Sequence, residues 1–290
     1  MQAHKTLEIM NKQKRIGLVL SGGGVKGMAH IGLLQAMEET GIRPHAISGS
    51  SAGALVGALY AGGYGTEDIL QFFKTTPLFS FSFFSPSKPG LLDSARYSIF
   101  LERYFPDNNF AELQLPLYII TTDLEEGEWV VHQHGPLFEP LLASASLPPI
   151  FTPVEIDGRQ HADGGIMNNF PVEPLQQGFD LLIGGHVTPI ERLSAQRISN
   201  SMQLLSRAQT LSWQAVNLQR LQLVDLLFEP PGITRIGTLD TRAIDQAYEL
   251  GYQHAKAIMP ALEQLIGEQT RQPATWILPK NRQQQRAGAA

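Results

Sequence analysis

Residues 16–27 have the sequence IGLVLSGGGVKG, in which a short apolar run leads directly into a glycine-rich loop. The run at residues 16–20 predicts a buried β-strand, because it is apolar throughout and ends at glycines that break regular structure. Beyond the loop, apolar side chains recur at steps of three between Met28 and Met37, which indicates an amphipathic helix over residues 26–40. The stretch therefore predicts a strand, a glycine loop and a helix in succession.

The same order of elements repeats downstream. Residues 45–48 predict a second short strand, and residues 52–60 are rich in alanine and leucine, which favours a helix. Two such units in succession predict an α/β fold with parallel strands joined by right-handed crossovers. Further strands are expected at residues 117–122, 128–132, 154–156, 159–162 and 179–183, and mostly helical segments at residues 199–227 and 243–266.

Length and composition favour one domain. The chain has 290 residues, of which 43% are apolar and 17% are charged, and no stretch has the composition of a linker. We expect a single domain over residues 15–267, with an N-terminal extension at residues 1–14. Residues 268–290 are polar and small toward their end, which predicts a partly disordered C-terminal extension.

Charge and cysteine content exclude several classes of function. The net charge of −5 gives no electrostatic reason to expect a nucleic-acid partner. The absence of cysteine excludes a disulfide framework, a thiolate zinc site and a cysteine nucleophile, and we expect neither a metal nor a cofactor. Because the first apolar run has only five residues, we expect no signal peptide or membrane span, and therefore a soluble, cytoplasmic protein.

Residues 49–53, GSSAG, place a serine between two glycines at the predicted strand-to-helix junction. A nucleophilic serine needs a sharp, exposed turn, which glycines two residues before and after it permit, and the helix that follows directs its positive end at developing negative charge. The pattern predicts that Ser51 is a nucleophile. Ser50 is excluded because the spacing centres on Ser51.

The upstream glycine loop has two interpretations. The backbone N–H groups of Gly22, Gly23 and Gly24 can form an oxyanion hole for a tetrahedral intermediate. Alternatively, the GxGxxG pattern of residues 22–27 is a dinucleotide fingerprint, which also requires an acidic residue at the end of the second strand. That strand ends in serine and glycine, so the oxyanion hole is favoured.

A nucleophilic serine also needs a base. Asp163, which is followed by two glycines, can accept the proton directly, or it can complete a triad with His186. The remaining candidate histidines are scattered, and each is more typical of a structural or solvated residue; they are His30, His132, His134 and His161.

In combination and in this order, the glycine loop, the GSSAG motif and the DGG motif at residues 163–165 resemble those of the patatin-like phospholipase family. Residues 143–151 and 168–171 also look like the family, so the resemblance covers residues 15–188. It implies a three-layer α/β/α fold with a mostly parallel central sheet. It also implies a Ser51–Asp163 dyad, which demotes His186. Lys26 stands where many members have arginine, which keeps the charge but loses the bidentate geometry.

The resemblance implies a serine lipid acyl hydrolase of the phospholipase, lysophospholipase or esterase type. We expect a lipid or acyl-ester substrate and transient contact with a membrane surface, to which the aromatic-rich residues 77–84 can contribute. The sequence indicates no oligomeric state. A nucleotide-binding enzyme and a non-catalytic lipid-binding protein remain alternatives. Supporting positions in the site are expected to be Lys26, Gly27, Gly49, Gly53, Gly164 and Gly165.

Overall fold

A central β-sheet organises the chain. The computed structural model describes residues 14–77, 83–85, 87–190, 198 and 200–268. Its strands are β1 (Ile16–Leu20), β2 (Ala46–Ser50), β3 (Leu117–Asp123), β4 (Glu128–His132), β5 (Val154–Ile156), β6 (Arg159–Asp163), β7 (Leu181–Gly185) and β8 (Leu226–Phe228). The strand order is β5-β6-β3-β2-β1-β7-β8, and β4 pairs with β3 beside this path.

The sheet is mostly parallel, as predicted. Strands β1, β2, β3, β7 and β8 run in one direction, whereas β4 and β6 are antiparallel to β3 and β5 is antiparallel to β6. Parallel strands end at the same edge of a sheet, so the loops after β1, β2 and β7 emerge together. That edge is where a site can form.

Helices cover the sheet. They are α1 (Met28–Glu39), α2 (Ala52–Ala61), α3 (Thr66–Thr75), α4 (Ser98–Leu101), α5 (Phe138–Ser144), α6 (Gly165–Asn168), α7 (Ser201–Asn217) and α8 (Ile244–Gly267). Helices α1, α2, α3 and α8 bury their apolar residues in the larger hydrophobic core. Because alternate residues of a strand face opposite sides, Leu18 and Leu20 enter this core, whereas Val19 enters a smaller core on the other face with Phe170 and Leu175. This arrangement confirms the predicted layered α/β fold.

The bounds predicted from local sequence lie close to the observed bounds for most helices and strands. Strands β1, β4 and β5 have the predicted bounds, and α8 differs from its predicted range by one residue at each end. The helix expected at residues 26–40 begins at Met28, because residues 24–27 form a tighter 3-10 turn. The predicted extensions lie outside the described residues, apart from residues 14 and 268, and the single-domain boundaries stay a prediction.

Two predictions were wrong in position. The strand expected at residues 179–183 lies two residues later, where Gly184 and Gly185 leave room for the rings of Phe170 and His30. The helix expected over residues 199–227 ends at Asn217, and β8 follows it. Strand β8 begins where the Asp225 side chain accepts the N–H of Leu182 at 2.7 Å, a tertiary contact that helical periodicity could not reveal.

Candidate active site

Strand register brings Ser51 and Asp163 together. Ser50, the last residue of β2, lies opposite Ile120 of β3. On the same edge of β3, Asp163 at the end of β6 lies opposite Thr121, the next residue along, because β4 occupies the other edge over residues 119–123. The ends of β2 and of the antiparallel strand β6 therefore meet along one edge of β3, and the Ser51 hydroxyl donates a hydrogen bond to Asp163 Oδ2 at 2.7 Å.

The Ser51 turn has an unusual backbone. Ser51 adopts φ 53° and ψ −126°, a conformation that costs a non-glycine residue about 1–3 kcal/mol. Its N–H donates to Ser144 Oγ at 2.9 Å, which holds the turn against the end of α5. Helix α2 starts at the next residue, so its positive end lies beside the hydroxyl.

Asp163 is buried and held on both carboxylate oxygens. Oδ2 accepts the Ser51 hydroxyl, and Oδ1 accepts the N–H of Gly165 at 2.7 Å. Burial raises the pKa of Asp163 to about 6, against the two hydrogen bonds, which lower it. The carboxyl group is therefore mostly ionised at neutral pH and a stronger base than an ordinary aspartate.

The glycine loop lies against Ser51. Gly22 donates its N–H to the Asn169 side-chain oxygen at 3.0 Å and approaches the Asn169 carbonyl at 3.3 Å. Gly23 and Gly24 line the cavity that contains Ser51, and their N–H groups make no hydrogen bond to another residue that the structure describes. The loop is thus held at its first glycine and leaves two donors at the cavity.

A buried histidine supports the start of this loop. His30 of α1 lies within 2.9 Å of the Ser21 carbonyl through Nε2. Burial lowers the pKa of His30 to about 4, so the ring is neutral and donates its Nε2 proton to that carbonyl. His30 therefore positions the chain just before Gly22.

The predicted supporting residues surround the same site. Lys26 lines the cavity. Close contacts explain several glycines: a Cβ on Gly27 would lie 2.7 Å from Ala52 Cβ, and one on Gly49 would lie 2.7 Å from the Ala54 nitrogen. A Cβ on Gly53 would meet the Leu20 carbonyl, and one on Gly164 would meet the Ile120 carbonyl.

The other histidines lie away from the Ser51 hydroxyl. His186 places Nδ1 2.6 Å from Glu229 Oε1 and Nε2 3.3 Å from Thr188 Oγ1. His132 and His161 both approach the Thr121 hydroxyl, at 2.8 and 2.9 Å. His134 is exposed between β4 and α5. The structure therefore contains no Ser51–His186 hydrogen bond among the residues that it describes.

An apolar cavity of about 230 Å³ opens at Ser51 and Asp163. Leu55, Leu147 and Phe151 line one part of it, and α7 lines another with Trp213 and other residues. A second apolar cavity of about 70 Å³ shares Leu55, Ala145 and Phe151 with the first. The site therefore has space for an apolar chain beside the serine.

The site contains few features of a cofactor centre. Within the described part of the chain, no group of three or more histidine and carboxylate side chains is arranged to bind a metal ion. The end of β2 provides serines rather than the carboxylate that a dinucleotide ribose requires. The Gly22 N–H is also already directed at Asn169. These observations do not favour the nucleotide-binding interpretation.

The predicted aromatic cluster falls partly outside the described residues, since residues 78–82 are not among them. Phe83 packs edge-on against Tyr97 and Phe100, whereas Phe84 is largely exposed. Its contact with a lipid surface stays a prediction. Of the helices that the structure describes, none combines the length and apolarity needed to cross a bilayer.

Sequence reasoning assigned no role to several residues at the site. Ser144 and Asn169 belong to stretches that resemble the family, but their contacts with Ser51 and Gly22 bridge long separations along the chain. Helix α7 has no motif at all. Its contribution to the cavity depends on tertiary packing that no local pattern reveals.

Comparisons with known proteins identify relatives that match most of this chain. "Lysophospholipase NTE1" of Coccidioides immitis is 28% identical over 283 residues, which cover 86% of this chain and 18% of the relative. "Patatin-like phospholipase domain-containing protein 6" of Mus musculus is 27% identical over 281 residues, 84% of this chain and 20% of the relative. The chain spans less than half the length of these curated relatives.

A solved structure, VipD from Legionella pneumophila, superposes with a TM-score of 0.52 at 15% identity, covering 86% of this chain and 67% of that one, which shows a shared fold. The sequence profile of the patatin-like phospholipases matches residues 18–175, more than half of the chain and all three motifs. With the sheet, the serine turn and the aspartate turn in this arrangement, the chain belongs to the patatin-like phospholipase family.

Proposed function

We propose that this chain is a serine lipid acyl hydrolase that uses Ser51 as nucleophile and Asp163 as base. The observation that carries the proposal is the 2.7 Å hydrogen bond from the Ser51 hydroxyl to the buried Asp163 carboxylate at an apolar cavity. Family membership supports lipid acyl hydrolysis. The name of the fungal relative, a lysophospholipase, supports a lipid ester as the substrate class.

In the first half-reaction, Ser51 Oγ bonds to the ester carbonyl carbon while its proton moves to Asp163 Oδ2. The N–H groups of Gly23 and Gly24 donate to the resulting oxyanion, because Gly22 is engaged with Asn169. When the tetrahedral intermediate collapses, the bond to the alcohol oxygen breaks and Asp163 returns its proton to that oxygen. The products are a free alcohol and an acyl group on Ser51.

In the second half-reaction, water attacks the acyl carbonyl while Asp163 takes a proton from it. Collapse then breaks the bond to Ser51 Oγ, which recovers the proton, and releases the carboxylic acid. The raised pKa of Asp163 suits both directions of transfer, since a base with a pKa near the working pH is the most effective.

A fluorophosphonate probe tests the nucleophile. We expect labelling at Ser51, none in Ser51→Ala, and labelling about 10²-fold slower or more in Asp163→Asn, the usual scale of a lost general base. Ser50→Ala is the matched control, because Ser50 is the adjacent buried serine and lies outside the proposed chemistry. If His186→Asn abolished labelling while Asp163→Asn did not, the dyad would be wrong.

A panel of esters tests the substrate class. Because an apolar cavity opens at Ser51 and a second one shares part of its wall, we expect long acyl chains to have a higher kcat/KM than acetyl or butyryl esters. Ala145→Leu should reduce this preference by a few fold, since Ala145 lines both cavities and leucine would occupy part of their space. Equal rates for all chain lengths would contradict a lipid substrate and leave a small soluble ester.

A further inference from the structure

Helix α7 exposes a broad apolar surface to solvent. Leu204 and Leu205 are 56% and 55% exposed, and Leu211 is 42% exposed. Exposed alanines lie between these leucines, so that one apolar stripe continues along the helix with its members alternately four and three residues apart. Its members are Leu204, Ala208, Leu211, Ala215 and Leu218. Leaving these leucines in water is unfavourable, which indicates that something covers them.

The same helix forms part of the wall of the Ser51 cavity. Thr210, Trp213 and Asn217 line that cavity from the other side of the helix, about a third to half of a turn from the leucine stripe. Leu239 also lines the cavity and is 44% exposed, so it lies at the mouth. One helix therefore carries the exposed apolar surface on one side and part of the wall of the Ser51 cavity on the other.

The charge of this segment differs from that of the whole chain. The sequence from residue 200 to residue 224 contains two arginines and no aspartate or glutamate, although the chain has 27 acidic residues and a net charge of −5. Arg220 is buried and paired with Glu173 at 2.6 Å. A helix without carboxylates can approach anionic headgroups without electrostatic repulsion from its own side chains.

The width of the apolar surface decides between a lipid surface and a second copy of the chain. A seam between two helices is a narrow stripe, such as the one that runs through Leu204 and Leu211. Leu205 and Val216 are also exposed, and helical geometry places them about 100° or more around the axis from that stripe. A surface this wide fits a lipid interface, into which a whole helix face can sink, better than a single partner helix.

We infer that α7 docks the protein on a lipid bilayer, with its leucines inserted among the acyl chains and the mouth of the Ser51 cavity against the headgroups. In this position, an acyl chain can pass from the bilayer into the cavity without crossing water. The inference deepens the proposed function and rests on it for the identity of the substrate. The docking itself can be measured without any hydrolysis.

Sedimentation with vesicles of phosphatidylcholine containing a minority of phosphatidylglycerol tests the docking. The Ser51→Ala protein serves as the starting chain, so that binding is measured without turnover. We expect it to bind, and the added Leu204→Gln and Leu211→Gln substitutions to weaken partitioning about tenfold or more, from the apolar area removed. Leu124→Gln is the matched control, because Leu124 is 44% exposed on the β3–β4 turn, and it should bind unchanged.

A fluorescence measurement provides a second readout. Leu204→Trp should show a shift of its emission to shorter wavelength when vesicles are added, relative to the parent protein with its three tryptophans. Unchanged partitioning of the double leucine variant, or no emission shift at position 204, would overturn the docking. A dimer in light scattering that the same two glutamines dissociate would also overturn it and assign the surface to a second copy.

Hydrolysis of a soluble short-chain ester separates the two proposals. In the chain that retains Ser51, the double leucine variant should hydrolyse such an ester at the parent rate, because neither leucine lines the cavity. Vesicle binding without any hydrolysis would refute the proposed function and leave the docking intact. Hydrolysis together with unchanged vesicle binding of the double leucine variant would refute the docking and leave the proposed function intact.

Discussion

The turn after β2 and the turn after β6 meet at one hydrogen bond, yet each is unfavourable in a different way. Ser51 lies at φ 53°, so its turn stores backbone strain. Asp163 has ordinary strand geometry but is a buried carboxylate whose pKa is raised by desolvation. One residue is unfavourable because of its conformation and the other because of its charge. This difference predicts how each turn responds to substitution.

The two turns are alike in one respect: each contains a glycine that packs directly against a backbone carbonyl. We expect the largest effect on stability from substitution of these glycines. A Cβ on Gly53 would lie 2.3 Å from the Leu20 carbonyl oxygen, and one on Gly164 would lie 2.2 Å from the Ile120 carbonyl oxygen. Because backbone cannot move aside cheaply, Gly53→Ala and Gly164→Ala should each lower the free energy of unfolding by about 3 kcal/mol or more. Urea denaturation measures this loss.

Gly267→Ala is the control for these two variants, since a Cβ there meets nothing within 4 Å. It should leave the free energy of unfolding almost unchanged. If Gly53→Ala or Gly164→Ala were as stable as the parent protein, the close packing of that turn would be wrong.

The next effect distinguishes the aspartate turn. The folded pKa of Asp163, about 6, lies above the value of about 4 in an unfolded chain, so ionisation of this group opposes folding. Its contribution to stability is complete below pH 4 and is lost as the pH rises through 6. Asp163→Asn should therefore raise the free energy of unfolding by about 3 kcal/mol at pH 7 to 8, while lowering activity about 10²-fold or more.

The pH profile of stability checks this prediction. The advantage of Asp163→Asn over the parent protein should shrink as the pH falls from 6 and disappear below about 4. If the difference in stability did not change between pH 6 and pH 4, ionisation of Asp163 would not be what destabilises the folded parent protein.

The same titration should appear in the activity of the parent protein. Because Asp163 must be ionised to accept the Ser51 proton, kcat/KM should fall as the pH drops below about 6, by about tenfold per unit. Initial rates with a soluble ester from pH 4.5 to 8 measure this profile. A plateau that extends down to pH 4.5 would contradict Asp163 as the base.

The two turns also differ in how far local sequence could identify them. The GSSAG pattern was sufficient to predict a strand-to-helix turn at Ser51, since the strain and the flanking glycines belong to five adjacent residues. Asp163 is followed by an ordinary turn pattern. The residues alone allowed it to be a direct base or the acid of a triad with His186, and only resemblance to a family chose the direct base. Its position opposite Thr121 depends on strand pairing across 42 residues of the chain.

The features that the sequence could not predict depend on contacts between residues that are far apart along the chain. Asn169 contacts Gly22 across 147 residues of sequence. Asp225, the residue just before β8, accepts a hydrogen bond from the N–H of Leu182. Helix α7 looked like part of a longer helix, because periodicity reports which side is apolar but not what that side faces. The parallel sheet was predictable because each of its first units repeats the same local order of elements.

The smallest predicted effect isolates the strain at Ser51. Ser51→Ala removes the hydroxyl but keeps a Cβ at φ 53° and ψ −126°, whereas Ser51→Gly removes both. Relief of the strain is worth about 1–3 kcal/mol, and the greater freedom of glycine in the unfolded chain offsets about 0.5–1 of it. Ser51→Gly should therefore be more stable than Ser51→Ala by about 1 kcal/mol, which calorimetry would register as a Tm a few degrees higher. At the exposed Ser212 in α7 the order should reverse, because glycine in a helix is less stable than alanine by about 1 kcal/mol. If the alanine variant were the more stable one at both positions, the turn after β2 would carry no strain. The two turns would then differ only in the charge of Asp163.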